Sequence, residues 1–282
     1  MAETRVVHFP EPPERDDTWG NERETPVDWL MRSTLPRAAS LREALNENLS
    51  HFEPRHAASL AKKLRADWKS HYFELLVGRW LQELDADPVE HEPTGSNGRK
   101  IDYRAQFVDG SVCVEAYSKR MNLHARPGVA YMDNSEQRIR LAFRDWRKRQ
   151  QATGASDPAI LAIDGGIFGA HDHDFDSALL GSSVQHMGFD REVAGFSFDA
   201  TKGEMSTDAA SPWAGVLAFL DAGVFSAREP ILYISPHFRG RLPLAFLAVQ
   251  RRILAPTEFA GNADRPMGRI RFGVPRSDGP DE

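Results

Sequence analysis

Apolar residues recur at helical spacing from Leu60 to Leu84. Leu60, Leu64 and Trp68 begin the pattern, and Phe73, Leu76, Val77, Trp80, Leu81 and Leu84 widen it into a stripe, with a break near Ser70 and Pro88 beyond its end. Pro54 suits the first turn of this helical stretch, where a missing amide costs nothing. Before it, Ser40-Leu-Arg-Glu43 reads as a capping box that opens a short helix through Leu49. After it the pattern changes to short strands: Val89 to Glu92, Ile101 to Phe107 and Val112 to Tyr117. The last two flank Asp109-Gly110, a two-residue hairpin signal in which both residues take positive φ. A helix capped by Asp133 or Asn134 runs to about Gln151, and Ala159 to Ile163 is a short apolar strand between Pro158 and Gly165-Gly166. From Ser70 the expected order is therefore helix, three strands, helix, strand. Further on, Val216 to Leu220 and Ile231 to Ile234 read as strands, and Phe175 to Leu180 and Leu244 to Ile253 as short helices.

The pattern divides the 282 residues into an acidic, proline-rich arm (1–39), a helical extension (40–69), an α/β core (70–165) and a C-terminal addition packed on that core (166–282). In the arm, Trp19, Trp29 and Leu30 are candidate anchors. Hydrophobic residues make up 41% and charged residues 27%, a globular composition and not a disordered one. No apolar run approaches the roughly 18 residues of a membrane span, and the N-terminus has no apolar leader core. The single cysteine, Cys113, has no partner for an internal disulfide, which points to a reducing, cytoplasmic location and no membrane partner. The net charge of −6 argues against coating nucleic acid by charge alone, though a basic groove within an acidic protein is not excluded.

Counting outward from an Asp109-Gly110 turn pairs Arg104 with Glu115 and Asp102 with Tyr117. Side chains alternate along a strand, so Asp102, Arg104, Cys113, Glu115 and Tyr117 share one face. Ile101, Tyr103, Ala105, Phe107, Val112, Val114 and Ala116 share the other, which is the apolar one. Asp102 and Glu115 become diagonal neighbours, roughly 5 to 8 Å apart at Cβ, a separation at which both carboxylates can hold one hard cation. Glu74 sits at the margin of the preceding helix's apolar stripe, where an unpaired charge is costly and a metal held by the hairpin would be one partner; Arg79 or another cation would be another.

Glu74 in FELLVGRWLQEL, then EHEP, then Ile101-Asp102-Tyr103, then Val114-Glu115-Ala116-Tyr117, resembles the PD-(D/E)XK nuclease superfamily, the restriction-endonuclease-like fold. The resemblance covers about 95 residues, from Ser70 to Ile163. It implies Asp102 and Glu115 as ligands of Mg²⁺ or Mn²⁺, Glu74 completing the metal site by binding a second ion or orienting a metal-bound water, and DNA as substrate of a phosphodiester hydrolysis. Two positions depart from the family. Ile101 stands where the family has proline, and Tyr117 stands at the position of the family lysine, which activates the attacking water and stabilises phosphate charge. Tyrosine carries no positive charge at neutral pH. Lys119, on the same strand parity, and Lys100, on the facing strand, are the candidate replacements. On the helix of residues 136–151, Arg138, Arg144, Arg147 and Lys148 are candidate phosphate contacts, against the plainer reading of a solvated helix face.

Two other readings stay open. One is a nuclease-like domain that no longer cleaves and binds nucleic acid or a protein partner. The other is a hydrolase centred on His171-Asp-His-Asp174 and Asp176, where a helix-capping loop is the plainer account. A homodimer is compatible with the sequence.

Overall fold

The computed structural model describes residues 6–12, 16, 24–95, 98–118, 135–153, 157–166, 169–187, 193–199, 203–205, 213–220, 230–235, 237–248 and 251–254. Four helices come first: α1 (Pro26–Arg32), α2 (Pro36–Leu49), α3 (Pro54–Ala66) and α4 (Trp68–Glu83). The first three each carry proline in the first turn, where the absent N–H would have no helical partner. Then follow β1 (Val89–His91), β2 (Tyr103–Phe107), β3 (Gly110–Tyr117), α5 (Ser135–Thr153) and β4 (Ala159–Asp164). The helix, three strands, helix, strand order expected from Ser70 onward is present. Beyond it lie α6 (Asp172–Phe175), a π-helical turn over Asp176–Leu180, β5 (Ser182–Met187), β6 (Val193–Asp199), β7 (Trp213–Phe219), β8 (Ile231–Ile234), α7 (Leu244–Leu247) and β9 (Arg251–Leu254).

The chain is mixed α/β. Seven strands form one sheet in the order β1-β2-β3-β4-β7-β8-β9, and β5 and β6 form a separate antiparallel pair. The large sheet is antiparallel across β1, β2 and β3, parallel across β3, β4 and β7, antiparallel from β7 to β8 and parallel from β8 to β9. Alternation along the strands feeds two cores. Tyr103, Ala105, Val114, Ile160, Ala162 and Phe219 face α1 to α4, against Phe73, Trp80 and Leu81. Leu161, Ile163, Val216 and Ala218 face Ile139, Phe143 and Trp146 of α5. Each layer of helices buries an apolar stripe that has no other place to go. Among the described residues no helix is long and apolar enough to cross a membrane.

Several expectations change. The helix of Ser40 begins earlier, at Pro36, without a side-chain cap, so Ser40 lies inside α2 and forms no capping box. The capping box of this region is at Thr25, whose hydroxyl accepts from the Asp28 amide while Asp28 accepts from the Thr25 amide. That places an ordered helix inside the 1–39 arm; Val27 and Leu30 are buried, and Phe9 is pinned by the Asn46 side chain at both its N–H and its carbonyl. Trp29 packs at the margin of the first core, and Trp19 lies outside the described residues. The hairpin loop is Val108–Asp109, one residue earlier than the Asp-Gly turn, because Phe107 pairs with Gly110. Asp109 Oδ2 is engaged instead by the Leu244 amide, 3.0 Å away, so tertiary contact competes with local turn preference. The helix expected over Leu244 to Ile253 stops at Leu247, and Arg251–Leu254 is a strand parallel to β8. The C-terminal addition is continuous with the core sheet, since β7 pairs directly with β4.

One close approach ties the sheet to α4. The ring of Tyr103 crosses α4 at Gly78, and its hydroxyl donates to the Glu74 carbonyl at 2.8 Å. A Cβ on Gly78 would stand 2.7 Å from Tyr103 and 2.8 Å from Phe52. Gly78→Ala is therefore expected to destabilise the protein by about 1–3 kcal/mol despite alanine's better helix propensity, by overpacking this contact. Urea denaturation checks this; a stabilised variant would show that the ring moves aside freely.

Candidate active site

The break between α3 and α4 at Asp67, with an extended backbone, turns the chain so that α4 starts beside the C-terminal end of β3. Three residues apart on α4, His71 and Glu74 share a face. Glu74 is buried, yet it is the most heavily partnered side chain of the region. Its Oε2 lies 2.6 Å from His71 Nδ1, and its Oε1 lies 2.7 Å from His91 Nε2 on β1. Lys63 of α3 donates to the same Oε1 at 2.9 Å and also contacts Glu92 Oε1 at 2.7 Å. Lys100 closes the chain by donating to Glu92 Oε2 at 2.7 Å. Burial works against the Glu74 charge, but the hydrogen bonds from His71 and His91 and the ammonium of Lys63 outweigh it and hold the carboxyl well below the usual range. For Glu92, burial is likewise outweighed, here by Lys100 and Lys63, and its pKa falls to about 2.

The hairpin brings Asp102 and Glu115 to one face, as the alternation requires. The pairing Tyr103 with Val114 shifts the counted register by two residues, which preserves parity. The ladder ends at that pair; extending its register by one step sets Asp102 across from Glu115 itself and not diagonally, while Lys100 lies in a bridge with Thr94. Asp102 Oδ2 accepts from the Ala116 amide at 2.8 Å. Burial, and then the negative charge of Glu74, push the Asp102 pKa up to about 6.

Glu74, Asp102 and Glu115 line a cleft of about 240 Å³ together with Lys100. Arg99 and Arg149 add two more cations to its walls, and His71 and Tyr117 complete the polar lining. Burial, with the charge of Asp145, raises the Tyr117 pKa, so the phenol stays protonated. Among the described residues, no three His, Cys, Asp or Glu side chains come together as a ready metal cage. Glu74 has both oxygens engaged by protein partners, and Asp102 and Glu115 are the other two carboxylates that line the cleft. Two carboxylates fit Mg²⁺, which keeps several waters and is commonly held by one or two carboxylates plus a substrate phosphate. Lys119 lies outside the described residues.

The basic face of α5 divides. Arg144 is engaged by Glu204, with Nη2–Oε1 at 2.7 Å, so its guanidinium ties α5 to the following segment. Lys148 is exposed, and Arg138 and Arg147 are partly exposed. Arg149 is the residue of that helix that lines the cleft. The His171 to Asp176 group serves the local turn: the His171 amide donates to Asp174 Oδ2 at 2.8 Å, and Asp176 accepts from the Tyr233 hydroxyl at 2.7 Å. Cys113 is buried and its thiol is pushed up to about 11, which leaves it inert.

Residues that sequence reasoning passed over are His71, His91, Lys63, Glu92 and Arg99. Two local signals exist among them, the spacing of His71 and Glu74 and the adjacency of His91 and Glu92 in EHEP; their meeting with Lys63 and Arg99 comes through the tertiary fold. Comparison of the chain with family models, curated proteins and solved structures returns no match.

The Asp102 pKa has a testable sign. A carboxyl raised from an ordinary 3.8 to about 6 contributes stability that is complete below the lower value and lost as pH rises through the upper one. Asp102→Asn keeps an acceptor for the Ala116 amide and removes the charge. In chelator it should be more stable than wild type at neutral pH by about 1–3 kcal/mol, with the gap closing toward pH 4. Urea titrations at four pH values check this, and a gap independent of pH would contradict it.

Proposed function

We propose that this protein is a divalent-metal-dependent phosphodiesterase acting on DNA, with α4, β1, β2, β3, α5 and β4 as a restriction-endonuclease-like core. The observation that carries the reading is the meeting of Asp102, Glu115 and Glu74 with Arg99, Lys100 and Arg149 in one cleft. Acidic groups alone suit a cation, and basic groups alone suit a phosphate. Both together suit a phosphodiester with its metal.

Asp102 and Glu115 would hold Mg²⁺ or Mn²⁺, and the bound ion supplies Lewis acidity toward the phosphate and a lowered pKa for water. The protein groups do the rest. The Ala116 amide fixes the Asp102 carboxylate in place. Arg99, Lys100 and Arg149 offset charge on the phosphate from the cleft walls, and the Tyr117 hydroxyl, at the family lysine position, donates a hydrogen bond. Glu74 supports the site from behind, through its histidine and lysine partners.

Tyr117 also favours a second reading, a domain that binds nucleic acid or protein through this cleft without cleaving. Nuclease assay of the purified protein on single-stranded, duplex and supercoiled DNA and on RNA, with Mg²⁺ and Mn²⁺, separates the two. Metal-dependent cleavage is expected, lost at least 100-fold in Asp102→Ala, together with a metal-induced rise in melting temperature absent from that variant. Metal stabilisation without cleavage of any substrate would favour the binding module; neither effect would remove the site.

The missing lysine has its own test. If Lys119 or Lys100 takes that role, alanine at the responsible position should cut the rate sharply with metal stabilisation intact, and Tyr117→Lys should add little. Full activity in both alanine variants would leave phosphate charge to Arg99 and Arg149.

A further inference from the structure

Two histidines bind the same carboxylate, and their surroundings differ. The His91 side chain is 1% exposed and, with Lys63, satisfies Glu74 Oε1. The His71 side chain is 26% exposed, lines the cleft, and is the partner of Oε2. Satisfying a buried acid accounts for His91 in full. It does not account for a ring that opens onto the cleft. A carboxylate can only accept, so His71 Nδ1 carries the proton of that 2.6 Å hydrogen bond. In the neutral form of that tautomer the lone pair lies on Nε2, and Nε2 has no hydrogen-bond partner among the described residues. The bond at one ring nitrogen thus sets the chemistry of the other.

The other cleft groups are poorly suited to accept a proton. Arg99 and Arg149 stay protonated. Lys100 is a cation donating to Glu92, and Tyr117 keeps its proton. Asp102 and Glu115 are the cation's donors.

We propose that His71 is the proton acceptor of the cleft, with Glu74 as the residue that positions its ring. The proposal rests on the phosphodiesterase reading. A lone pair of water oxygen forms the new P–O bond while His71 Nε2 takes the water proton. The scissile P–O bond breaks with its electron pair on the leaving oxygen, which then takes a proton from the imidazolium or from solvent. The products are a phosphomonoester and an alcohol, and the neutral ring is regenerated. Glu74, negative and buried, stabilises the imidazolium as it forms, as a third member orients and stabilises the base of a catalytic triad.

The test uses the full chain with Mn²⁺, on duplex DNA and on bis(p-nitrophenyl) phosphate. Wild type, His71→Ala, His71→Gln and Asp102→Ala are compared across pH 5 to 9, with and without added imidazole. His71→Ala is expected to lose about 100-fold or more in kcat, to lose the acidic limb of the rate profile, and to regain activity with imidazole. His71→Gln, whose amide can still donate to Glu74, should stay folded and be equally slow, which separates base from support. Long-range ¹⁵N–¹H spectra of the wild type should show a protonated Nδ1 and a bare Nε2 within the active pH range. Near-wild-type cleavage by both His71 variants, with Asp102→Ala inactive, overturns the role of His71 and leaves the phosphodiesterase reading standing. So does a rate loss with an unchanged pH profile and no rescue, or a ring protonated at Nε2 throughout. Absence of metal-dependent cleavage in the wild type overturns both.

Discussion

The buried charge of Glu74 is the constraint on which this end of the molecule depends. An isolated carboxylate in a protein interior costs several kcal/mol, and removing one partner of a buried ion pair costs about 3–5 kcal/mol. Here the compensation comes from three different elements: Lys63 on α3, His71 on α4 itself and His91 on β1. No one of these elements can shift without exposing or orphaning the charge. The Tyr103 hydroxyl adds β2 to the same knot by donating to the Glu74 carbonyl. The break between α3 and α4, the path of α4 over the sheet and the edge position of β1 all meet at one side chain. Apolar packing would hold these elements near one another; the ion cluster selects one arrangement of them.

That same charge sets the character of its neighbours. Glu74 and Asp102 are acids with opposed shifts, one held low by its cations and histidines, the other driven up to about 6 by burial and by Glu74. Environments that push two neighbouring carboxyls apart assign them different work. The low one is a fixed anion that is spent on protein partners. The high one is an unsatisfied site whose ionised form gains most from an added positive charge. Lys63 and Lys100 are bound to Glu92 and Glu74, so they do not relieve Asp102 by direct contact.

How much of this was legible follows from what local sequence can encode. Strand parity is local, so the common face of Asp102 and Glu115 survived a two-residue error in the hairpin register. The turn is not set by its dipeptide alone: the loop is Val108–Asp109, and Asp109 accepts from the Leu244 amide, 135 residues away. The helical pattern over Leu244 to Ile253 does not reveal the strand that begins at Arg251, because that strand forms by pairing with β8. The Thr25 box lies in a segment whose acid and proline content points to an arm anchored by a few apolar residues and not to a capped helix. In the site, the acids of the hairpin were visible through alternation, whereas Glu74's partners were visible only once α3 and β1 were brought to α4.

The surroundings of Tyr117 give a physical reason for an aromatic residue at this position. The phenol ring packs at the margin of the second core, beside the helix that carries Trp146 and Arg149. A lysine could lay its stem along that surface, but its ammonium would come beside Arg149, a like charge in a small cleft. An aromatic ring fills the apolar margin and, with its phenol protonated, adds no charge to the cleft. Positive charge then enters from the cleft walls, as Arg99 and Lys100 from the connection before β2 and Arg149 from α5. The arrangement separates two tasks that one lysine would combine. On the proposed reading, cations on the walls would meet phosphate charge, while proton transfer would fall to the His71 ring held by Glu74. A neutral imidazole carries a lone pair that can accept a proton, which a guanidinium or an ammonium lacks.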